Sequence, residues 1–472
     1  MTSPDRARPA TPRARTSFEA VRDRLTRWHV PLLWCSVGFV VVAGLAYCLH
    51  LGDQLRYPDE LQYLRIARNL ADHAWYSVNG VKTTAFPPPG YPLVLGALTS
   101  LGAPVVVLRA LNLLFMAIVV WGVWWLARRI GGPVAAAIAA PLTALYPLTF
   151  YTMGTLYPQP MASALLVVAL VAVAGLRDSA RPWWRAIGAG FAFSLLILSV
   201  PNLGIALLAV IVWLACTDRR WGPILVIVVC AAVLPTAWTV RNAVSMHAFI
   251  PIATSNDNLA LGFSEHTTAR SGIMVDLDEF REEIRRRHLN EVEASNYFTD
   301  EAIKWIKANP GRAFVLYVEK TANYFAPFDQ LSDPSNNSVA QQVLATLTYL
   351  PLLLLLLIRL FRWRKDRLGA DEVLLLAIYL LSAPTQAIFT TRVRYRAPLD
   401  PLLIVIVAGF LGRWIVARAT GTGARLGDDG GGDHGADHLD PPPDAPAAVE
   451  GPRTADDLAP PARRVEEPDA AR

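Results

Sequence analysis

Apolar residues in this chain arrive in repeated runs of roughly 16 to 24 positions, separated by short polar or basic stretches. That length suits a helix crossing the ~30 Å hydrocarbon layer of a bilayer. Ten spans are predicted: 31–51, 104–127, 132–151, 156–176, 185–200, 201–217, 221–240, 340–361, 371–390 and 397–418. The fifth and sixth are short, meet at Ser199-Val-Pro-Asn202, and are also readable as one broken helix. The pattern predicts an all-α polytopic membrane protein. Between the spans, Thr299 is a candidate N-cap for a helix over 300–308 that stops at Asn309-Pro310. Residues 311–325 form a further apolar-polar stretch expected to lie against the membrane.

Charge orients the bundle. Basic residues cluster after alternate spans, at Arg128-Arg129, Arg177 to Arg185, Arg219-Arg220, Arg359 to Arg367 and Arg413 to Arg425. With a basic N-terminal segment, 1–30, they predict that both termini are cytoplasmic and that the loops 52–103, 241–339 and 391–396 face outward. Trp124, Trp125, Trp183, Trp184, Trp221 and Trp414 fall at span ends, as interfacial tryptophans do. Composition agrees: 53% hydrophobic residues, 18% charged, mean hydropathy +0.32. The net charge of +5 carries no nucleic-acid signal, since the basic residues sit where topology requires them. Cys35, Cys48, Cys216 and Cys230 all lie in spans and read as small buried hydrophobes, without metal or disulfide spacing. No cleavable signal peptide is expected, because the first span has the length of an anchor. Residues 419–472 turn to Gly, Asp, Pro and Ala, a composition expected to be disordered. His434 and His438 in that tail supply too few ligands for a metal site.

One stretch breaks the pattern informatively. Arg56-Tyr-Pro-Asp-Glu-Leu-Gln-Tyr-Leu-Arg-Ile-Ala-Arg-Asn-Leu70 sets two adjacent acids just beyond the first span. At about 100° per residue, Tyr63, Leu64, Ile66, Ala67 and Leu70 share one arc of a helix, and Asp59 and Glu60 fall inside it. Acids held at a membrane boundary on an apolar arc are candidates for function. The plainer reading is that two acids behind Pro58 complement a helix dipole.

The surroundings favour chemistry. The helix leads through Asn79-Gly80-Val-Lys82 into Phe86-Pro-Pro-Pro-Gly-Tyr-Pro92. Three further motifs follow: Trp238-Thr-Val-Arg-Asn242, the helix closed by Asn309-Pro310, and Arg392-Val-Arg-Tyr-Arg-Ala-Pro-Leu-Asp-Pro401. In that order, over 31–418, the four resemble the GT-C membrane glycosyltransferases. The closest pattern is the branch of protein O-mannosyltransferases and the bacterial aminoarabinose and galacturonic-acid transferases. Asp400 departs from the apolar residue usual between the two prolines of the last motif. The resemblance implies a GT-C-like bundle of about ten transmembrane helices, with juxtamembrane helices in the first outer loop and a small extracytoplasmic helical segment in 241–339. It also implies transfer of a sugar from a polyprenyl-phosphate carrier to a lipid, glycan or protein hydroxyl on the outer face of the inner membrane. Asp59 would be the base, and Glu60 would orient the acceptor, hold the loop or ligate a divalent ion. Tyr63 and Tyr395 would line the substrate site. No cofactor or metal is expected.

The arginines carry their own argument. In an extended segment Arg392, Arg394 and Arg396 project to one side, and fixed guanidinium forks suit a phosphate. The alternative is a set of interface charges, with Arg396 pairing Asp400 at i,i+4. Arg241 and Lys82 are each readable as a phosphate contact or an interfacial anchor. A carrier or flippase for a lipid-linked or anionic solute is the rival reading. A carrier keeps its charges at midplane on broken helices. Here they gather on loops, and Asp371, Glu372 and Asp400 lie only at span ends. A non-catalytic assembly subunit remains a third reading.

Overall fold

A computed structural model describes residues 16–179, 181–329 and 338–421. The tail that carries His434 and His438 lies outside them, as does 1–15. Among the described residues every regular element is a helix.

The first helix, α1 (Ser17–Leu51), begins well before the predicted span. Thr16 and Glu19 cap each other's backbone N–H groups, so the basic stretch ahead of residue 31 is already helical. α2 (Pro58–His73) and α3 (Gly90–Thr99) fill the first loop. They pack on one another through Leu64, Ala67, Tyr91 and Leu95. α4 (Val105–Ala144) merges the second predicted span with most of the third. At 40 residues it would run ~60 Å if straight, twice a bilayer core. It breaks instead at Gly132, whose φ of 74° only glycine adopts without strain. α5 (Pro147–Met153), α6 (Gln159–Ala174), α7 (Pro182–Ser199), α8 (Gly204–Thr217) and α9 (Trp221–Met246) follow. A 3₁₀ turn at Pro201–Leu203 separates α7 from α8, so the fifth and sixth predicted spans are two helices.

The second large loop folds into α10 (Asn258–Gly262), α11 (Asp278–Arg286), α12 (Glu291–Ala308) and α13 (Pro310–Asn323). α12 starts at Asn290, whose side chain accepts from the N–H groups of Val292 and Glu293. Thr299 therefore lies within the helix and does not cap it; its hydroxyl donates to Ser295 O. The expected break at Asn309-Pro310 is where α12 gives way to α13. α14 (Val339–Phe361), α15 (Ala370–Ala387), the single turn α16 (Val393–Arg396) and α17 (Asp400–Ala419) complete the chain.

By length and composition α1, α4, α9, α14 and α17 can each cross a membrane, while α6 and α8 are apolar but shorter. α4 is the centre of the bundle, packed against α1, α6 and α17. Its Ala135, Ala136, Ala139 and Ala140 are buried, and small side chains of this kind let helices approach closely in lipid. The bundle has a loop-rich end, built from α2, α3 and α10–α13, and an opposite end where α14 turns into α15. That opposite end is closed by a buried ion pair, Arg359–Glu372 at 2.7 Å, which Arg413 joins at 3.1 Å.

Candidate active site

The site lies where the link between α15 and α17 meets the start of α2. α2 begins where Pro58 stops the preceding strand-like backbone and Glu60 folds back on it: Glu60 Oε2 accepts the N–H groups of Arg56 (2.6 Å) and Tyr57 (3.0 Å). Its other oxygen accepts Leu156 N at 2.9 Å. Glu60 is fully buried, with Arg109 3.9 Å away. Its carboxylate is therefore consumed in joining the first loop to the α5–α6 link. Of the roles expected for it, holding the loop fits; contact with an acceptor or an ion does not.

Asp59, one residue earlier on the same turn, points elsewhere. Its side chain is 39% exposed, and Oδ2 accepts from Arg394 Nη1 at 2.8 Å. Thus the acid pair and the arginine motif, 335 residues apart, meet in one ion pair. Arg394 also donates to the Tyr395 hydroxyl at 3.3 Å. Its guanidinium sits 5.3 Å from the ring centre of Tyr157 and 5.1 Å from that of Tyr395. Its Nε is buried with no partner among the described residues. Tyr63 meets Tyr157 edge-to-face, Tyr57 stacks on Tyr157, and the Tyr151 hydroxyl donates to that of Tyr57 at 2.8 Å. The ion pair thus sits in an aromatic wall.

The electrostatics follow from this packing. Burial raises the Tyr63 phenol above its ordinary value, and the charge of Asp59 adds to that. Burial acts the same way on Tyr395, yet Arg394 and Arg392 outweigh it and hold this phenol below its ordinary value. Desolvation opposes the charge on Arg394, but Tyr395 and Asp59 more than compensate, so its guanidinium is held firmly protonated.

The arginine triplet does not form a one-sided clamp. Residues 393–396 are a helical turn, in which side chains advance about 100° per residue, so the alternation of an extended segment is lost. Arg392 turns to Asp329 at 3.5 Å, and Asp329 also accepts Val393 N. Arg396 is fully buried against Asp400 at 3.0 Å, donating as well to Tyr324 O and Ala326 O and lying 3.7 Å over the Tyr349 ring. It is thereby removed from the expected phosphate contacts, and the i,i+4 alternative describes it. Asp400, the departure from the usual motif, is its partner.

Arg241 is likewise committed to the protein. It donates to Thr84 O (2.8 Å) and Tyr76 O (3.3 Å) and stacks on Trp238, tying α9 to the first loop. Lys82 lies exposed on a turn organised by Asn79 and Ser77. No ion pair or hydrogen bond joins it to Asp59 or Arg394 among the described residues.

Several contributors escaped the sequence reading. Tyr57, Tyr151 and Tyr157 come from two distant segments with no motif to unite them. Glu291 accepts from Thr84 Oγ1, the N–H groups of Ala85 and Phe86, and Thr254 Oγ1, clamping the two large loops together. A groove of about 540 Å³ is lined by Thr268, Arg270, Glu319, Asn323 and Ala326. Its Asn323 donates to Thr391, next to Arg392. Among the described residues no group of three or more His, Cys, Asp or Glu could hold a metal.

Residues 87–240 match the family model described as dolichyl-phosphate-mannose-protein mannosyltransferase. No curated protein matches the chain. Among solved structures, the apo oligosaccharyltransferase of Archaeoglobus fulgidus is similar at 15% identity and a TM-score of 0.51, over 84% of this chain and 52% of that one. The archaeal oligosaccharyltransferase AglB from Archaeoglobus fulgidus, in complex with an inhibitory peptide and a dolichol-phosphate, gives 14% identity and 0.47, over 87% and 53%. ArnT from Cupriavidus metallidurans bound to undecaprenyl phosphate gives 16% and 0.41, over 85% and 80%. The chain spans about half the length of the archaeal enzymes it matches. A third of the chain thus matches a mannosyltransferase family model, and the fold as a whole is similar to that of the archaeal oligosaccharyltransferase.

Proposed function

We propose that the protein transfers a sugar from a polyprenyl-phosphate carrier to an acceptor hydroxyl, with Asp59 as general base and Arg394 acting on the leaving phosphate. The observation that carries this reading is the 2.8 Å contact between Asp59 and Arg394 inside an aromatic wall. It joins a half-exposed acid to a permanently charged fork, the two groups that glycosyl transfer from a phosphate requires. The matched family takes its name from a dolichyl-phosphate sugar, which supports a polyprenyl-phosphate donor. The basic clusters support an inner-membrane protein whose loop-rich end faces outward.

In the reaction, the acceptor oxygen bonds to the anomeric carbon as the bond from that carbon to the phosphate oxygen breaks. Asp59 takes the acceptor's proton. The bonding pair leaves on the carrier phosphate, whose growing charge is met by the Arg394 fork. The unpartnered Nε of Arg394 is a donor in reserve for that phosphate. A phosphate arriving beside Arg394 competes with Asp59 for it, so donor binding frees the carboxylate for the acceptor. Arg392 stands next along the loop, and Tyr63 and Tyr395 line the site.

Proteoliposomes supplied with polyprenyl-phosphate mannose and a hydroxyl acceptor test the reading. Glycosylated acceptor and free polyprenyl phosphate should appear in equal amounts. Movement of intact donor across the bilayer without cleavage would instead establish the carrier reading.

A further inference from the structure

The link that carries Arg394 is short, and its geometry is controlled from outside it. Phe389 lies just past the end of α15 at Ala387; Thr390, Thr391 and Arg392 lead into the turn α16; Ala397 leads into α17. A buried basic side chain grips this link at each end. At the first end is Lys320, on α13 and 1% exposed. Its Nζ donates to Phe389 O at 2.7 Å and to Gly262 O at 2.9 Å, and lies 3.7 Å over the Phe263 ring. At the other end is Arg396. It donates to Asp400, whose second oxygen accepts the Tyr146 hydroxyl at 2.8 Å, and to the carbonyls of Tyr324 and Ala326. Between them, Asn323 donates to Thr391, and Asp329 receives both Arg392 and Val393 N. Apart from Asp400, Tyr146 and the Gly262–Phe263 contacts of Lys320, these anchors come from 320–329, the end of α13 and the chain just after it.

Burial without a ligand-facing surface argues that these side chains do not touch substrate. Lys320 and Arg396 are 1% and 0% exposed, whereas the Arg394 side chain is 22% exposed. Two buried basic groups are expensive to maintain unless engaged, and both are, although Arg396 Nη2 has no partner among the described residues. Their engagement is with the backbone of one loop and its neighbours. A four-residue turn such as α16 has little stability of its own. Its rotation, and with it the direction of Arg394, is set by what holds its ends.

We propose that Lys320 and the Arg396–Asp400 pair are positioning residues that brace the 389–397 link, holding Arg394 against Asp59 and open to the carrier phosphate. The inference rests on the phosphate role of Arg394 proposed above. It goes further in assigning a cause to that residue's orientation, and it gives Asp400 a purpose specific to this chain.

Binding of undecaprenyl phosphate, the carrier without sugar, to the purified full-length protein in nanodiscs tests it. Arg394→Ala, Asp400→Asn, Lys320→Met and the doubles Arg394→Ala/Asp400→Asn and Arg394→Ala/Lys320→Met are compared. Tyr146→Phe, which deletes one hydrogen bond from the pair, serves as a mild variant if Asp400→Asn does not fold. Arg394→Ala should weaken binding about 10-fold. Asp400→Asn and Lys320→Met should each weaken it several-fold, and Tyr146→Phe about 2-fold, while neither double should be weaker than Arg394→Ala alone. Doubles in which the losses multiply, or brace variants that bind normally while Arg394→Ala is impaired, would overturn the brace and leave the phosphate role standing. Normal binding by Arg394→Ala would overturn that role and the brace with it.

Discussion

The two ends of α15 each carry a charge cluster, and the clusters are built to different specifications. At the turn between α14 and α15, Glu372 is 1% exposed and receives Arg359 and Arg413 together, while Arg129 bonds Asp371 at 2.6 Å. Beyond the other end of α15, Asp59 is 39% exposed and has one guanidinium partner, which keeps a buried donor in reserve. The buried cluster joins α4, α14, α15 and α17 through an acid that is 1% exposed and holds two guanidiniums, although Asp371 Oδ1 and Arg413 Nε in it have no hydrogen-bond partner among the described residues. The half-open one is surrounded by tyrosines. Formal charge alone does not separate the two; burial of the acid and its number of guanidinium partners do.

The comparison is broken most severely at the buried end. Glu372→Ala leaves Arg359 and Arg413, among the described residues, with only their longer carboxylate contacts to Asp366, at 3.6 and 3.4 Å, which should lower stability by about 3–5 kcal/mol. A thermal midpoint in detergent checks this, and an unchanged midpoint would deny that the cluster is a lock. At the half-open end the cost should fall on affinity instead. Arg394→Ala should raise the apparent KM for the polyprenyl-phosphate donor by about 10-fold or more, a loss of about 1.4–3 kcal/mol, with only partial recovery in Arg394→Lys. An ammonium keeps the charge but not the fork. Donor titrations with full recovery by lysine would reduce Arg394 to an anchoring charge.

The smallest effect sharpens the picture between the ends. Burial lowers Lys320 from the ordinary lysine value of 10.5 to about 7. Between those values the unfolded chain binds a proton that the folded chain lacks, so stability rises with pH across this window. Lys320→Met removes that slope. Thermal midpoints from pH 7 upward should diverge between the two proteins, and parallel curves would show that Lys320 keeps its proton throughout.

Much of this architecture was legible in the chain. Span lengths and basic clusters reveal a polytopic bundle, Pro310 marks the α12–α13 break, and the acid pair and arginine motif point to one site. The direction of each arginine was not legible. Residues 392–396 read equally well as extended or helical, and only the helical turn sends Arg396 inward to Asp400 while Arg394 reaches Asp59. Glu60 and Asp59 look interchangeable as neighbours on one turn. Three backbone N–H groups, one of them from Leu156, separate their roles. Lys320 has no sequence signal at all, because its acceptors are carbonyls that every residue carries.

The central claim is that the half-open pair does chemistry and not merely packing. Asp59→Asn keeps the volume of the side chain and removes its capacity to take a proton. Sugar transfer from polyprenyl-phosphate mannose and the thermal midpoint are measured on the same reconstituted sample. The account predicts transfer reduced by about 10²-fold or more at an unchanged midpoint. Near-normal transfer, or a loss that appears only together with a lowered midpoint, would contradict it.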